Sequence, residues 1–157
     1  MSLKTPYKLC DYKVAYGFIF EEELKGYDYW GFCDTDVLLG DIYQFLEEHS
    51  FFENDYSRYG LLGHLQIFKN SQEVNHIFMS GQGLNYRLDF HNIFTSEQNF
   101  IFDEADGIQK IFEKIISNNC KISFLMILIL VISPLENMVK MNLNAIIFGQ
   151  RKMVWNQ

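Results

Sequence analysis

The run Trp30-Gly31-Phe32-Cys33-Asp34-Thr35-Asp36-Val37 carries the sharpest chemical signal in the chain. Two aspartates at i and i+2 at the end of a strand project to the same side, because side chains alternate with a period of two, and Thr35 points away. Carboxylates held that close resist joint ionisation unless a cation lies beside them. Mn²⁺ and Mg²⁺ are hard cations that take such oxygen ligands and often complete their shell with substrate phosphates. Asp34 and Asp36 therefore suggest a metal-diphosphate site, against the plainer alternative of a surface turn or helix cap.

The elements around this pair are what must hold it. Thr5-Pro6 reads as an N-cap followed by proline at the first helical position, and Gly26 as a stop, so a helix is expected over residues 6 to 25. Its buried stripe would be Leu9, Tyr12, Tyr16, Phe20 and Leu24. The aromatic run Tyr27 to Cys33 reads as a strand ending at Asp34-Thr35-Asp36. Asp41, with Gln44 three residues on, should open a helix through Ile42, Phe45 and Leu46. A strand over Gly63 to Lys69, a short helix from Ser71 burying Val74, Ile77 and Phe78, and a loop over Ser80 to Arg87 follow. Ile108, Ile111, Phe112, Ile115 and Ile116 mark an amphipathic helix stopped by Asn118-Asn119.

The most apolar segment, Ile122 to Ile132, is the remaining element that could place the protein in a cell. Extended through Leu135 it reaches only 14 residues, against the roughly 18 to 20 needed to span a bilayer. A central parallel strand covered on both faces is the expectation, with no stable membrane span; a core helix and an interfacial segment are the alternatives. No internal repeat is visible.

Composition bounds the classes. The 157 residues make about one domain, and 48% hydrophobic and 17% aromatic residues exclude a disordered chain. A formal net charge of −7 argues against electrostatic capture of nucleic acid or anionic lipid. Cys10, Cys33 and Cys120 are odd in number and widely spaced, which suits reduced thiols, and no CxxC suggests zinc. The start lacks the features of a signal peptide, and Met1 to Leu3 reads as a cloning remnant. The expected location is the cytoplasm, with peripheral association at the inner face of the membrane as a variant of that reading.

Taken together, Thr5-Pro6-Tyr7-Lys8-Leu9-Cys10-Asp11-Tyr12-Lys13, Tyr29 to Asp36, Gly40-Asp41-Ile42, Gly63-His64, Phe68-Lys69-Asn70 and Phe102-Asp103-Glu104 resemble bacterial glycosyltransferases of capsular and surface polysaccharide biosynthesis with a GT-A-like fold. The resemblance covers about residues 4 to 106. It implies an α/β domain with a mainly parallel sheet flanked by helices, with the aspartate pair at the carboxyl end of one strand. It implies transfer of a sugar from a nucleotide-diphosphate donor to a polysaccharide acceptor, with Asp34 and Asp36 holding Mn²⁺ or Mg²⁺ and Asp34 facing the donor diphosphate. The Lys-x-x-Asp element, Lys8 and Asp11, corresponds to the part that contacts nucleotide and sugar, with Lys13 a weaker candidate. Asp103 and Glu104 resemble a downstream acidic motif that acts on the acceptor or as a base, or else begin a helix in solvent. His64 approaches the metal or acceptor or, more plainly, is a hydrogen-bonded structural residue, whereas His49, His76 and His91 have no ligand spacing. The tail Gln150-Arg151-Lys152-Met153 has a weak likeness to the family's basic close.

Such transferases begin with a strand-helix-strand unit that nothing before Thr5 supplies, so the chain reads as one domain truncated at its start, with self-association through an exposed sheet edge as a consequence. Two other functions fit part of the pattern. One is a non-catalytic scaffold or binding module. The other is a haloacid-dehalogenase-like phosphatase, in which Asp34 would attack phosphorus and Asp36 serve as acid and base.

Overall fold

A computed structural model describes residues 5–34, 40–60, 63–118, 124–125, 145–149 and 152–154. The chain opens with two short helices, α1 (Lys8–Lys13) and α2 (Tyr16–Ile19), followed by strand β1 (Tyr29–Cys33). Helix α3 (Ile42–Glu48), strands β2 (Arg58–Tyr59) and β3 (Leu65–Lys69), and helix α4 (Gln72–Asn75) come next. A 3₁₀ turn at Ile77–Gly81, helix α5 (Phe90–Thr95) and a wide turn at Ala105–Gln109 lead into α6 (Lys110–Asn118). Strands β4 (Phe124–Leu125), β5 (Ala145–Gly149) and β6 (Lys152–Val154) complete the sheet.

The architecture is α/β, but the sheet is not mainly parallel as expected. Its order is β4-β2-β3-β1-β5-β6, and every described pairing is antiparallel except β2 with β4. The physical reason is visible at β2 and β3, which are separated by only five residues; a parallel neighbour needs a crossover of a dozen or more. The expected 122–132 strand is described only at Phe124 and Leu125, where it does run parallel to β2. It stands at the end of the described strand order instead of the centre, and its other residues lie outside the described ones. Among the described residues no helix is long and apolar enough to cross a membrane.

The expected helix over 6 to 25 is broken at Val14 and Ala15, and this resets the phase of its buried face. Tyr12 and Leu24 are buried as expected, whereas Leu9 and Phe20 are exposed and Lys8, Asp11 and Lys13 face inward. Gly26, at φ +85°, ends the segment in the left-handed conformation that glycine tolerates best. The expected N-cap at Thr5 with Pro6 as the first helical residue is not formed: α1 begins at Lys8 after Tyr7, which makes no side-chain cap, while the caps expected at Asp41 and Ser71 are present. The Asp41 carboxylate accepts the Gln44 N–H at 2.9 Å and the Ser71 hydroxyl accepts the Val74 N–H at 3.3 Å, each satisfying a free donor of a first helical turn.

Alternation along β1 and β3 builds two cores, one on each face of the sheet. Trp30, Phe32 and Phe68 pack with Ile77, Phe78, Ile93, Phe102, Ile108, Ile111 and Phe112. Tyr29, Leu65 and Ile67 pack with Tyr59, Phe51 and the α3 residues Ile42 and Leu46. The Trp30 ring stacks on Phe68 at 4.5 Å between centroids, and its indole N–H donates to Asn75 Oδ1 at 2.8 Å, so one face of the strand that leads to Asp34 is anchored by both packing and a hydrogen bond.

Candidate functional site

Asp34 directly follows β1, and its backbone N–H donates to the His64 carbonyl at 2.9 Å, extending the β1–β3 pairing by one residue. This fixes the carboxylate against three other polar residues. Lys13, from the end of α1, places its Nζ 2.7 Å from Asp34 Oδ1 and 3.1 Å from Asp103 Oδ2. The same ammonium lies 3.4 Å from the Gly63 carbonyl and 5.3 Å from the centre of the Phe32 ring. His64 Nδ1 is 2.9 Å from Asp34 Oδ2. Asp34 and Asp103, 103 − 34 = 69 positions apart in the sequence, thus share one lysine.

Exposure divides the cluster into an inner and an outer part. The side chains of Lys13 and Asp103 are 5% and 3% exposed, while Asp34 is 30% and His64 52% exposed. Burial pushes Asp103 up to about 6, outweighing the opposing pull of Lys13. Burial also acts against the charged forms of Lys13 and Asp34. Their mutual hydrogen bond and the neighbouring charges prevail, holding the lysine above its ordinary value and the carboxyl of Asp34 below its own. Asp103 Oδ1 is buried with no hydrogen-bond partner among the described residues. A buried carboxylate oxygen without a donor is costly, and here the other oxygen of the same carboxylate shares Lys13 with the partly exposed Asp34.

Gly63 is a steric requirement of this arrangement. A Cβ there would lie 2.5 Å from Asp103 Oδ2 and 2.9 Å from Glu104 Oε1. Glycine lets the 63–64 backbone pass directly beside both acidic residues, and the Gly63-His64 pair singled out in the sequence therefore belongs to the site.

Two networks support Asp103 from behind. In the first, Lys8 Nζ donates to Asp11 Oδ2 at 2.8 Å, to the Ile93 carbonyl at 2.5 Å and to the Gln98 carbonyl at 2.7 Å. The Asp11 carboxylate accepts the backbone N–H groups of Phe100, at 3.2 Å to each oxygen, and Phe102, at 3.0 Å. Between those two residues Ile101 has φ +55°, a conformation a β-branched residue adopts only under constraint. Asp11 thus holds both neighbours of a strained residue two positions before Asp103. In the second network, Gln66 donates to the Asp103 carbonyl and accepts from Arg58 Nε and Nη2 at 3.1 and 2.9 Å. Arg58 Nη1 also donates to Gln109 Oε1 at 2.5 Å, and the guanidinium carbon lies 5.7 Å from the centre of the Phe68 ring and 4.9 Å from that of Phe112. Burial pushes Arg58 down to about 9, since its acceptors are amides.

The sequence-derived candidates are therefore sorted by the structure. Asp34, Lys13, Asp103 and Glu104 come together around Gly63 and His64. Lys8 and Asp11 are 1% and 0% exposed and have the structural task of clamping residues 93 to 102. Asp36 lies outside the described residues, as do Cys120 and Arg151, while Cys10 and Cys33 are free thiols whose pKa burial raises. Sequence reasoning missed Gln66 and Arg58, although a glutamine in an otherwise apolar strand was a legible sign of a buried polar network.

Residues 1–129 match a family described as "Family of unknown function (DUF6625)". The chain belongs to this family. The matched region contains the whole Lys13 cluster and both supporting networks, whereas β5 and β6 lie beyond it. No curated protein and no solved structure shows significant similarity to this DUF6625 member.

Proposed function

We propose that this DUF6625 protein is a divalent-cation-dependent glycosyltransferase that moves a sugar from a nucleotide-diphosphate donor to a polysaccharide acceptor. The observation that carries the reading is Asp34: a partly exposed carboxylate at the carboxyl end of a core strand, facing a second carboxylate, Asp103, across a shared lysine. The partly exposed Asp34 carboxylate supplies oxygens of the kind a hard cation takes. Asp34, together with Asp36 from the same sequence motif, would hold Mn²⁺ or Mg²⁺, whose charge would neutralise the leaving diphosphate.

The chain's own groups have distinct parts in this reading. Hydrogen bonds from Lys13 and His64 outweigh burial and hold the carboxyl of Asp34 below its ordinary value, so that it is an ionised acceptor at neutral pH. Asp103, titrating at about 6, is mostly ionised at pH 7 yet close enough to that pH to take a proton from an acceptor hydroxyl, as a general base should. Glu104, beside the same glycine, adds negative charge that favours such a transfer. His64 orients Asp34 through Nδ1 and is the most exposed member of the cluster, suited to meet a substrate.

The test is thermal and calorimetric titration with UDP, GDP, CDP and dTDP in the presence of Mn²⁺. One nucleotide should raise the melting temperature of the wild type, and Asp34→Asn should abolish the gain. An equal shift in wild type and Asp34→Asn, or no shift with any of the four nucleotides, overturns the proposal.

A further inference from the structure

Arg58 is fully buried on β2, yet its hydrogen bonds go to amides: Nε and Nη2 donate to Gln66 Oε1, and Nη1 donates to Gln109 Oε1. A guanidinium has N–H donors and no acceptor, so the amide atom that faces it has to be oxygen. The two ends of a glutamine amide are nearly the same size, and it is the hydrogen-bond network that decides which way they point. With Arg58 in place, the Nε2 of each glutamine must point away from it. That of Gln66 donates to the Asp103 carbonyl, and that of Gln109 donates to Glu113 Oε1 at 2.9 Å. One buried cation thus fixes the polarity of two amides, one on β3 and one at the end of the wide turn that follows Asp103.

The stretch between them is irregular, with Gly107 at φ −107°, ψ −110°, outside helical backbone. The bond from Gln66 ties its first carbonyl to the sheet. A reversed Gln66 amide would set Oε1 against the Asp103 carbonyl oxygen, two acceptors facing each other in a buried place, and would drive the Asp103 backbone off β3. The carboxylate would move with it, away from Lys13, whose Nζ is 3.1 Å from Asp103 Oδ2.

We infer that Arg58 is a positioning residue, which by fixing the polarity of the Gln66 amide holds the Asp103 backbone where the Asp103 carboxylate meets Lys13. The inference deepens the reading above, in which Asp103 takes a proton from the acceptor hydroxyl, and rests on it for that task alone. It also accounts for a buried arginine whose hydrogen-bond acceptors are amides. A charge present only for stability is replaceable by packing, since buried ionic groups exchanged for apolar residues of similar volume often cost nothing. A group that sets the direction of an amide has no apolar substitute.

The experiment is a double-mutant cycle on the full chain, Lys13→Met against Asp103→Asn by urea unfolding, which separates the coupling of the two side chains from their individual costs. Lys13→Gln takes the place of Lys13→Met if the latter does not fold. The cycle is run in the wild type, in Arg58→Met/Gln66→Met and in Gln66→Glu. The apolar pair leaves no buried guanidinium, and Gln66→Glu gives Arg58 a carboxylate for the same two N–H groups, so each background has its own way to fold. Neither has a side-chain donor at position 66 for the Asp103 carbonyl. In both, the coupling should fall by at least about half from its wild-type value, whatever happens to overall stability. A smaller fall in either background, or no coupling in the wild type, overturns the inference. Neither nucleotide, metal nor acceptor is present, so this failure is distinct from failure of the transferase reading, which the nucleotide titration decides.

Discussion

Lys8→Met separates a clamp from a ligand contact. The side chain of Lys8 is 1% exposed and that of Asp11 is fully buried, and the ammonium serves three acceptors, the Asp11 carboxylate and the carbonyls of Ile93 and Gln98. Methionine fills a similar volume but leaves a buried carboxylate whose remaining donors are the backbone N–H groups of Phe100 and Phe102, and it strands two carbonyls. Breaking a buried pair from one side costs about 3 to 5 kcal/mol, a large part of the roughly 5 to 15 kcal/mol that stabilises a typical domain. For a chain of this size that corresponds to a fall in melting temperature of roughly 6 to 20 °C. Urea unfolding followed by tryptophan fluorescence is the assay, with Lys8→Met/Asp11→Asn as the companion. Because the double variant leaves no uncompensated charge, its loss should be clearly smaller than the sum of the two single losses. A Lys8→Met protein within about 1 kcal/mol of the wild type would refute the clamp. Loss of nucleotide affinity at unchanged stability would return Lys8 to the donor contact expected from the sequence.

The Asp103 carboxyl titrates at about 6 when folded against an ordinary 3.8, so the folded state holds this proton more tightly; the stability that follows is complete below about pH 4 and is lost as the pH rises through 6. Measured against Asp103→Asn, which lacks the titration, the wild type should gain up to about 3 kcal/mol between pH 7 and pH 4, and a difference that stays flat in urea unfolding across that range contradicts it. Gly63→Ala should cost about 1 to 3 kcal/mol and push Asp103 away from Lys13, whereas Gly40→Ala, where a Cβ meets nothing within 4 Å, should not show such strain; equal and small effects on thermal stability would refute the steric account. Ile101→Gly should keep or raise stability by up to about 1 kcal/mol, because it relieves a left-handed β-branched residue whose side chain is 55% exposed, and a loss of more than about 1 kcal/mol on urea unfolding would show that the conformation is not strained.

What could be read in the sequence follows how local the cause is. The caps at Asp41 and Ser71, the apolar faces of α3 and α6 and the strand before Asp34 depend on neighbours within one or two turns, and all are present. The apolar stripe of residues 6 to 25 misled because a period of 3.6 has meaning only while the helix continues, and the break at Val14 and Ala15 turned Lys8, Asp11 and Lys13 inward. Sheet direction was not legible, since antiparallel pairing of β1 with β5 is a contact between distant residues that no local pattern encodes. The same holds for the site: Asp34 announced itself through its spacing and Asp103 through its motif, and Lys13 was a weaker candidate for a donor contact, but that this lysine joins the two carboxylates is a long-range contact only the fold shows.

The position of β1 between β3 and β5 gives the strand before Asp34 a history during synthesis. Its β3 partners, residues 65 to 69, follow closely behind it, but its β5 partners begin only at Ala145. At roughly 5 to 20 residues per second, the ribosome adds the 149 − 69 = 80 residues from Asn70 through Gly149 in roughly 4 to 16 s. Throughout that interval β1 can be paired on one side while the other presents free N–H and C=O groups, an open template for any extended segment nearby. The last strands therefore act as a late seal, and a chain interrupted between 129 and 145 would retain every residue of the Lys13 cluster while exposing the very strand on which Asp34 depends.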